Sequence, residues 1–233
     1  MNSNKQLIQD FHYRVFKEGD AEFAASVLAD DYIQHNPMVP TGKSGFLTFL
    51  ERLKQIPRPA LLKKPFKRVF ANDNMVVVHS QVMFMGKESA IVDLFRIENG
   101  LIAEHWDAVQ DFVDGKPVVE GSFELDETES TEDNLSLAKS FVNTVFVQKQ
   151  FDKLSDYSSV GQTIVEGRDT LDSYTSHRFI GEHNFVLAQS SAVDNRTPFV
   201  IYDILRLERG RIADHWSVRQ EIPSQMAHPN GMI

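Results

Sequence analysis

The stretch VDLFRIENGLIAEHWDAVQ, residues 92–110, returns 110 positions later as YDILRLERGRIADHWSVRQ, residues 202–220. Asp93/Asp203, Arg96/Arg206, Glu98/Glu208, Gly100/Gly210, His105/His215, Trp106/Trp216 and Gln110/Gln220 are identical, with no gap between them. Self-similarity over such a length marks two copies of one structural unit. The same offset pairs Asn74 with Asn184 and Ser80 with Ser190. Further upstream the offset becomes 125, where Asp31-Tyr32 meets Asp156-Tyr157. The second copy has therefore lost 15 residues, at the counterpart of the region around IPRPALLKKP (56–65). Between the copies, EGSFELDETESTEDN (120–134) is rich in carboxylates and lacks Lys and Arg. Such a stretch repels itself and buries no core, so it reads as a linker. The expected organisation is a domain over 1–120, an acidic linker over 121–133 and a degenerate copy over 134–233.

Both copies open on a helical pattern. Leu7, Ile8, Phe11, Val15 and Phe16 share one face, and Leu135, Ala138, Phe141, Val142, Val145 and Phe146 repeat it. A short helix is expected after Asp20 and a third near Thr41-Gly42, with GRDTLDSYTSH (167–177) at the corresponding place in the second copy. β-Branched and aromatic runs separated by turn residues follow, the mark of antiparallel strands. Helices first and strands after give an α+β fold, a bent sheet wrapped round a helix into a cone. At the turn ENG (98–100) a three-residue loop with Gly100 as a left-handed bulge is expected. It pairs Asp93 with His105 and Ile91 with Asp107. It also puts Ala103, His105 and Asp107 on one face, and Arg96, Glu98 and Glu104 on the other.

The balance of 42% hydrophobic and 24% charged residues is that of a globular protein. A formal net charge of −9 argues against nucleic acid or an anionic membrane as partner. With no cysteine, disulfides, thiolate metal sites and a cysteine nucleophile are excluded. No apolar run approaches a membrane span, and the start MNSNKQLIQDF lacks the apolar core of a signal peptide, so a cytoplasmic protein is expected. No glycine-rich phosphate loop is present.

The segments DDYIQHNPMVPTGKSGFLTFLERL (30–53), VVVHSQ (76–81) and IVDLFRIENGLIAEHWDAVQ (91–110) resemble the SnoaL-like polyketide cyclase family. Within it they are similar to the branch described as predicted aldol-condensation-catalysing enzymes. The resemblance spans most of 1–120, and the second copy shares it in its last hairpin and its ending, HPNGMI. It implies two tandem cone-shaped domains of the nuclear-transport-factor-two-like, cystatin-like type. Members often pair through the open sheet face, so an intramolecular pseudo-dimer, or a homodimer, is implied. In SnoaL-like cyclases an aspartate at the position of Asp107 is the general acid/base. The family often has a second histidine where this chain has Gln81.

The residues fit that chemistry. A carboxylate on the concave face of an apolar cone is desolvated and becomes a base usable near neutral pH. An enolate formed by it needs a donor or positive charge nearby. His35 and His79 are the catalytic partners expected beside Asp107. Asp93, His105, Tyr32 and Gln81 are expected to bind substrate. Asp93 could donate a proton, as in ketosteroid isomerase, a standard case of a neutral carboxylic acid beside a base. In the second copy Asp107 becomes Ser217, His35 becomes Val160 and His79 becomes Gln189, while Asp93 and His105 persist as Asp203 and His215. The first copy is thus expected to hold the chemistry, acting without cofactor or metal on a small hydrophobic carbonyl compound as a cyclase, isomerase or dehydratase. The competing function is a non-catalytic binding or dimerisation module. A metal held by His79, His105 and Asp107 is a third reading, on a weak motif.

Overall fold

A computed structural model of the chain describes residues 3–55, 65–84 and 86–233. Most of IPRPALLKKP (56–65), the stretch missing from the second copy, lies outside them. The chain forms two compact units. One comprises Met1–Asp107 together with Pro223–Met232, and the other Ala108–Ile222 with Ile233.

In the first unit, helix α1 (Ser3–Phe11) continues as wider π-helical turns over His12–Glu18. Gly19, at φ 77°, ends them in the left-handed conformation that costs glycine least. The Asp20 carboxylate then accepts the Phe23 N–H at 2.8 Å and caps α2 (Ala21–Val27). Strand β1 (Leu28–Gln34) and helix α3 (Lys43–Leu53) follow. Strands β2 (Phe66–Asn72), β3 (Met75–Phe84), β4 (Lys87–Glu98) and β5 (Leu101–Asp111) complete a sheet of order β1-β5-β4-β3-β2. β1 runs parallel to β5, whereas β2, β3 and β4 pair antiparallel. Ile8, Phe11 and Val15 from the first helix pack with Phe46 and Leu50 of α3 onto Val76, Val78, Phe95, Ile97 and Ile102. This is the helix-on-concave-sheet core of the α+β reading.

The second unit repeats the plan with fewer helices. α4 (Thr131–Phe141) passes into π-helical turns over Val142–Val147 and is followed by α5 (Leu154–Tyr157). The strands β6 (Ser173–Glu182), β7 (Phe185–Asp194), β8 (Thr197–Glu208) and β9 (Arg211–Glu221) lie in that order. The helix expected over 167–177 does not form. Its second half enters β6, where Tyr174 pairs with Ala192 and Thr175 with Ser191. The Thr and Tyr of this run suit a pleated strand, and the ladder with β7 overrides the weak helical pattern.

The hairpin turn also differs from expectation. β4 ends at Glu98 and β5 starts at Leu101, so the loop has two residues. Asn99 (φ 52°) and Gly100 (φ 78°) are both left-handed, as in the turn whose twist matches a two-residue hairpin. The extra residue enters later. In the second unit the register shifts between Arg206 and Leu207, so Leu207 faces Ile212 while Leu205 faces His215 and Asp203 faces Ser217. In the first unit Ile102 joins the core cluster that packs with the first helix, and His105 three residues on joins Asp93. An odd spacing keeps both on one face only if a bulge re-phases the strand.

Candidate acid–base site

Asp93, His105 and Asp107 are all buried, at 7%, 7% and 6% exposure. One donor atom from each lies within 4.8 Å of the others. β4 supplies Asp93 and β5 supplies the other two, and the QHNP segment (34–37), leaving β1, fixes how they are oriented. The Gln34 side-chain oxygen accepts the N–H groups of His35 and Asn36, both at 2.9 Å. It must therefore be the oxygen of the amide, and His105 Nδ1, 3.0 Å away, must donate to it. In the neutral ring Nε2 then carries the lone pair. Nε2 lies 3.0 Å from Asp93 Oδ1, so that contact requires one proton shared between the two.

Asn36 orients the second carboxylate. Its Oδ1 accepts the Met38 N–H at 2.9 Å, which leaves Nδ2 to donate to Asp107 Oδ2 at 2.6 Å. Asp107 Oδ1 is buried with no hydrogen-bond partner. The same is true of His12 Nε2, which lies 3.7 Å from Asp93 Oδ2. Phe66, Phe95 and Phe16 surround the His12 ring at 5.2–5.7 Å between centroids, and Phe95 stacks on His105 at 4.5 Å. The cluster thus combines a free acceptor and a free ring nitrogen with aromatic walls.

Burial sets the charges. It raises Asp107 to about 6 against the pull of His105, with Asp93 adding to the rise and Asn36 opposing it. Burial also raises Asp93 to about 6, opposed by His12. It lowers both His12 and His105, which favours neutral rings. Tyr32, buried beside this negative cluster, is pushed well above the ordinary phenol range.

The expected site residues separate by face. Asp107, Asp93 and His105 come together. Tyr32 stands behind them, its hydroxyl accepting the Gln34 side-chain N–H at 2.9 Å. Val78 pairs with Asp93 and His79 with Val92, so His79 points to the opposite face of the sheet. There its Nδ1 lies 3.0 Å from Arg68 Nη1, and burial with the nearby cations lowers its pKa to about 3. A metal site on His79, His105 and Asp107 is ruled out by that orientation; Asp93 takes the place of His79 in the only such donor group among the described residues. Gln81 pairs with Ala90 on the His79 face and donates to Glu88 at 2.7 Å. His35 also faces away from Asp107. It stacks on Trp106 at 4.7 Å and joins Glu104 Oε1 (2.9 Å) to the Gly231 carbonyl (3.0 Å). On that face Arg96 bridges Glu104 (2.8 Å) and Glu98 (2.7 Å), the grouping expected from the alternation.

Gln34, Asn36 and His12 were not singled out by the sequence reading. His12 had a signal. Aligning Phe11 with Phe141, where both helices widen, sets Val142 opposite His12. A polar group is thus lost from the second copy there as well.

The second unit shows what the same framework becomes without the site. Asp203 is fully buried and bonded to Arg168 Nη2, to the Tyr174 hydroxyl at 2.8 Å and to His215 Nε2 at 2.7 Å. Arg168 also donates to Ser217 Oγ at 3.1 Å and lies over the Phe146 ring at 4.4 Å. Burial alone would raise Asp203, but Arg168, His215 and Tyr174 outweigh it and hold the carboxyl at about 2. A structural ion pair fills the space where Asp107 has its counterpart.

The SnoaL-like domain model matches residues 9–105, which contain His12, Gln34, Asn36, Asp93 and His105. No curated protein matches the sequence. Solved structures similar to this chain include TsrD from Streptomyces laurentii, at 23% identity over 46% of this chain and 88% of that one, with a TM-score of 0.38. A candidate ketosteroid isomerase from Kribbella flavida is 18% identical over 53% and 90%, with a TM-score of 0.41. A candidate polyketide cyclase from Acidithiobacillus ferrooxidans is 15% identical over 47% and 89%, with a TM-score of 0.40. The chain is a tandem α+β protein that is similar to the SnoaL-like domain over residues 9–105.

Proposed function

We propose that the first unit is a cofactor-independent acid–base catalyst acting on a small hydrophobic carbonyl compound, in an aldol-type cyclisation, isomerisation or dehydration. The observation that carries this reading is the pair of buried, unpartnered atoms, Asp107 Oδ1 and His12 Nε2. A buried polar atom without a partner costs about 1–3 kcal/mol, and a substrate that supplies the partner recovers it. Asp107, ionised above about 6, takes a proton from the carbon next to the carbonyl. The C–H electrons form the carbon–carbon double bond of the enolate, and the carbonyl oxygen takes up the negative charge. The neutral His12 ring, with its proton on Nε2, donates to that oxygen. Near pH 6, while the contact between Asp93 and His105 still holds its proton, no second negative charge faces Asp107. Asp107 then returns its proton to another carbon, or to a departing oxygen.

The test is exchange of protons alpha to a carbonyl, followed by NMR in heavy water over a panel of ketones and β-keto esters. Wild type is expected to exchange at least one of them, with the rate falling about 10²–10⁴-fold in Asp107→Asn and clearly in His12→Asn. A rate equal in wild type and Asp107→Asn would favour the non-catalytic binding module instead.

A further inference from the structure

We infer that segment 223–232 is a strap that positions the acid–base cluster, with His228 and Asn230 as its positioning residues. The inference rests on the reading of Asp107 as base only for its activity readout. The strap belongs to the first unit although it follows β9 in the chain. It binds the backbone of the QHNP segment, whose side chains hold His105 and Asp107. Ala227 N–H donates to the Pro37 carbonyl at 2.8 Å. His228 Nδ1 accepts the Asn230 N–H at 3.2 Å, so its Nε2 carries the proton and donates to the Asn36 carbonyl at 2.8 Å. Asn230 Nδ2 donates to the Gln34 carbonyl and to Thr41 Oγ1, both at 2.9 Å. Gly231 accepts from His35 Nδ1 at 3.0 Å. Met232, 2% exposed, and His228, 7% exposed, anchor the segment.

Residues 34, 36 and 37 are thus held by the strap through their carbonyls. The side chains of Gln34 and Asn36 meanwhile point to His105 and Asp107. A loop held only at its ends opens locally at low cost, whereas one bonded along its backbone does not. The repeat supports the assignment independently. QHNP corresponds to Ser159–Gln162 (SVGQ) in the second copy, and AHPNG (227–231) corresponds to PVVEG (117–121) in the first. The strap and the segment it binds are each kept once, in opposite copies. The copy that lost the chemistry kept the ending that the other copy uses.

The experiment compares the full-length chain with His228→Ala/Asn230→Ala, with Asn230→Ala alone, and with a chain lacking 223–233. The readouts are amide hydrogen exchange of residues 34–36, the carboxyl titration of Asp107 by ¹³C NMR, and α-proton exchange. The double variant is expected to lose at least about tenfold of amide protection at 34–36, the factor that a single lost buried hydrogen bond carries. Its Asp107 carboxyl should titrate above the wild-type midpoint, because the Asn36 bond that favours the ionised form loosens. Amides of β7 and β8 should be unchanged, and a peptide of residues 223–233 added to the shortened chain should restore protection. Unaltered protection at 34–36 and an unaltered Asp107 midpoint in the double variant would overturn the strap. If wild type exchanges no carbonyl compound, the reading of function fails, while amide exchange and titration still decide the strap.

Discussion

Asp93 and Asp203 stand at one position of the repeat, each within 3.0 Å of a histidine Nε2, and their surroundings drive them apart. Asp93 has no cation beside it and titrates at about 6, whereas Asp203 lies on Arg168 and titrates at about 2. The stability consequences have opposite signs. A carboxyl whose folded pKa is raised contributes stability below the unfolded value of about 4, and that contribution is lost as pH rises through 6. Asp93→Asn keeps a donor towards His105 and escapes the loss, so it should stabilise the protein by about 2–3 kcal/mol at pH 8 and by little at pH 4. Asp203 instead contributes above about pH 4 and loses that contribution as pH falls through 2. Asp203→Asn should cost about 3–5 kcal/mol at pH 7, because Arg168 is left buried without its counter-charge. Denaturant unfolding at the two pH values checks both, and a destabilised Asp93→Asn at pH 8 would contradict the first. Asn36→Ala removes a hydrogen bond that favours ionised Asp107. The rising limb of the exchange rate should therefore move from about pH 6 to higher pH, read from a rate profile over pH.

Elements carry the site because small backbone choices re-aim side chains. The alternation of β4 and β5 was legible, and it gathered Asp93, His105 and Asp107 correctly. The turn was not, because a two-residue left-handed turn plus a later bulge gives the same face as a three-residue turn. Periodicity alone cannot tell these apart. His79 and His35 were misgrouped for a related reason. Each sits one residue out of phase with the cluster, and one residue is a whole face on a strand. α3 shows a second backbone constraint. Ala would ordinarily stabilise a helix by about 1 kcal/mol over Gly. At Gly45, however, a Cβ would lie 2.8 Å from the Pro40 carbonyl oxygen, in the loop that leads out of the QHNP segment. Gly45→Ala should therefore destabilise by about 1–3 kcal/mol in urea unfolding, the usual cost of overpacking.

Across the whole molecule, the tandem plan was plain in the sequence because His105-Trp106 and its surroundings recur without a gap. The loss of Asp107 as Ser217 correctly marked where the second copy departs. What replaced it was not legible. Arg168 and Tyr174 approach Asp203 from 35 and 29 residues away in the chain, and only the folded sheet brings them together. The strap was hidden for the same reason, since its partners lie more than 180 residues upstream. Among the described residues no helix is long and apolar enough to cross a membrane. The most direct measurement is a ¹³C titration of the side-chain carboxyls in the intact chain, assigned by Asp93→Asn, Asp107→Asn and Asp203→Asn. Asp107 and Asp93 titrating near 6, with Asp203 near 2, is the predicted result. All three titrating together near the ordinary aspartate value of about 4 would contradict the division of labour between the copies.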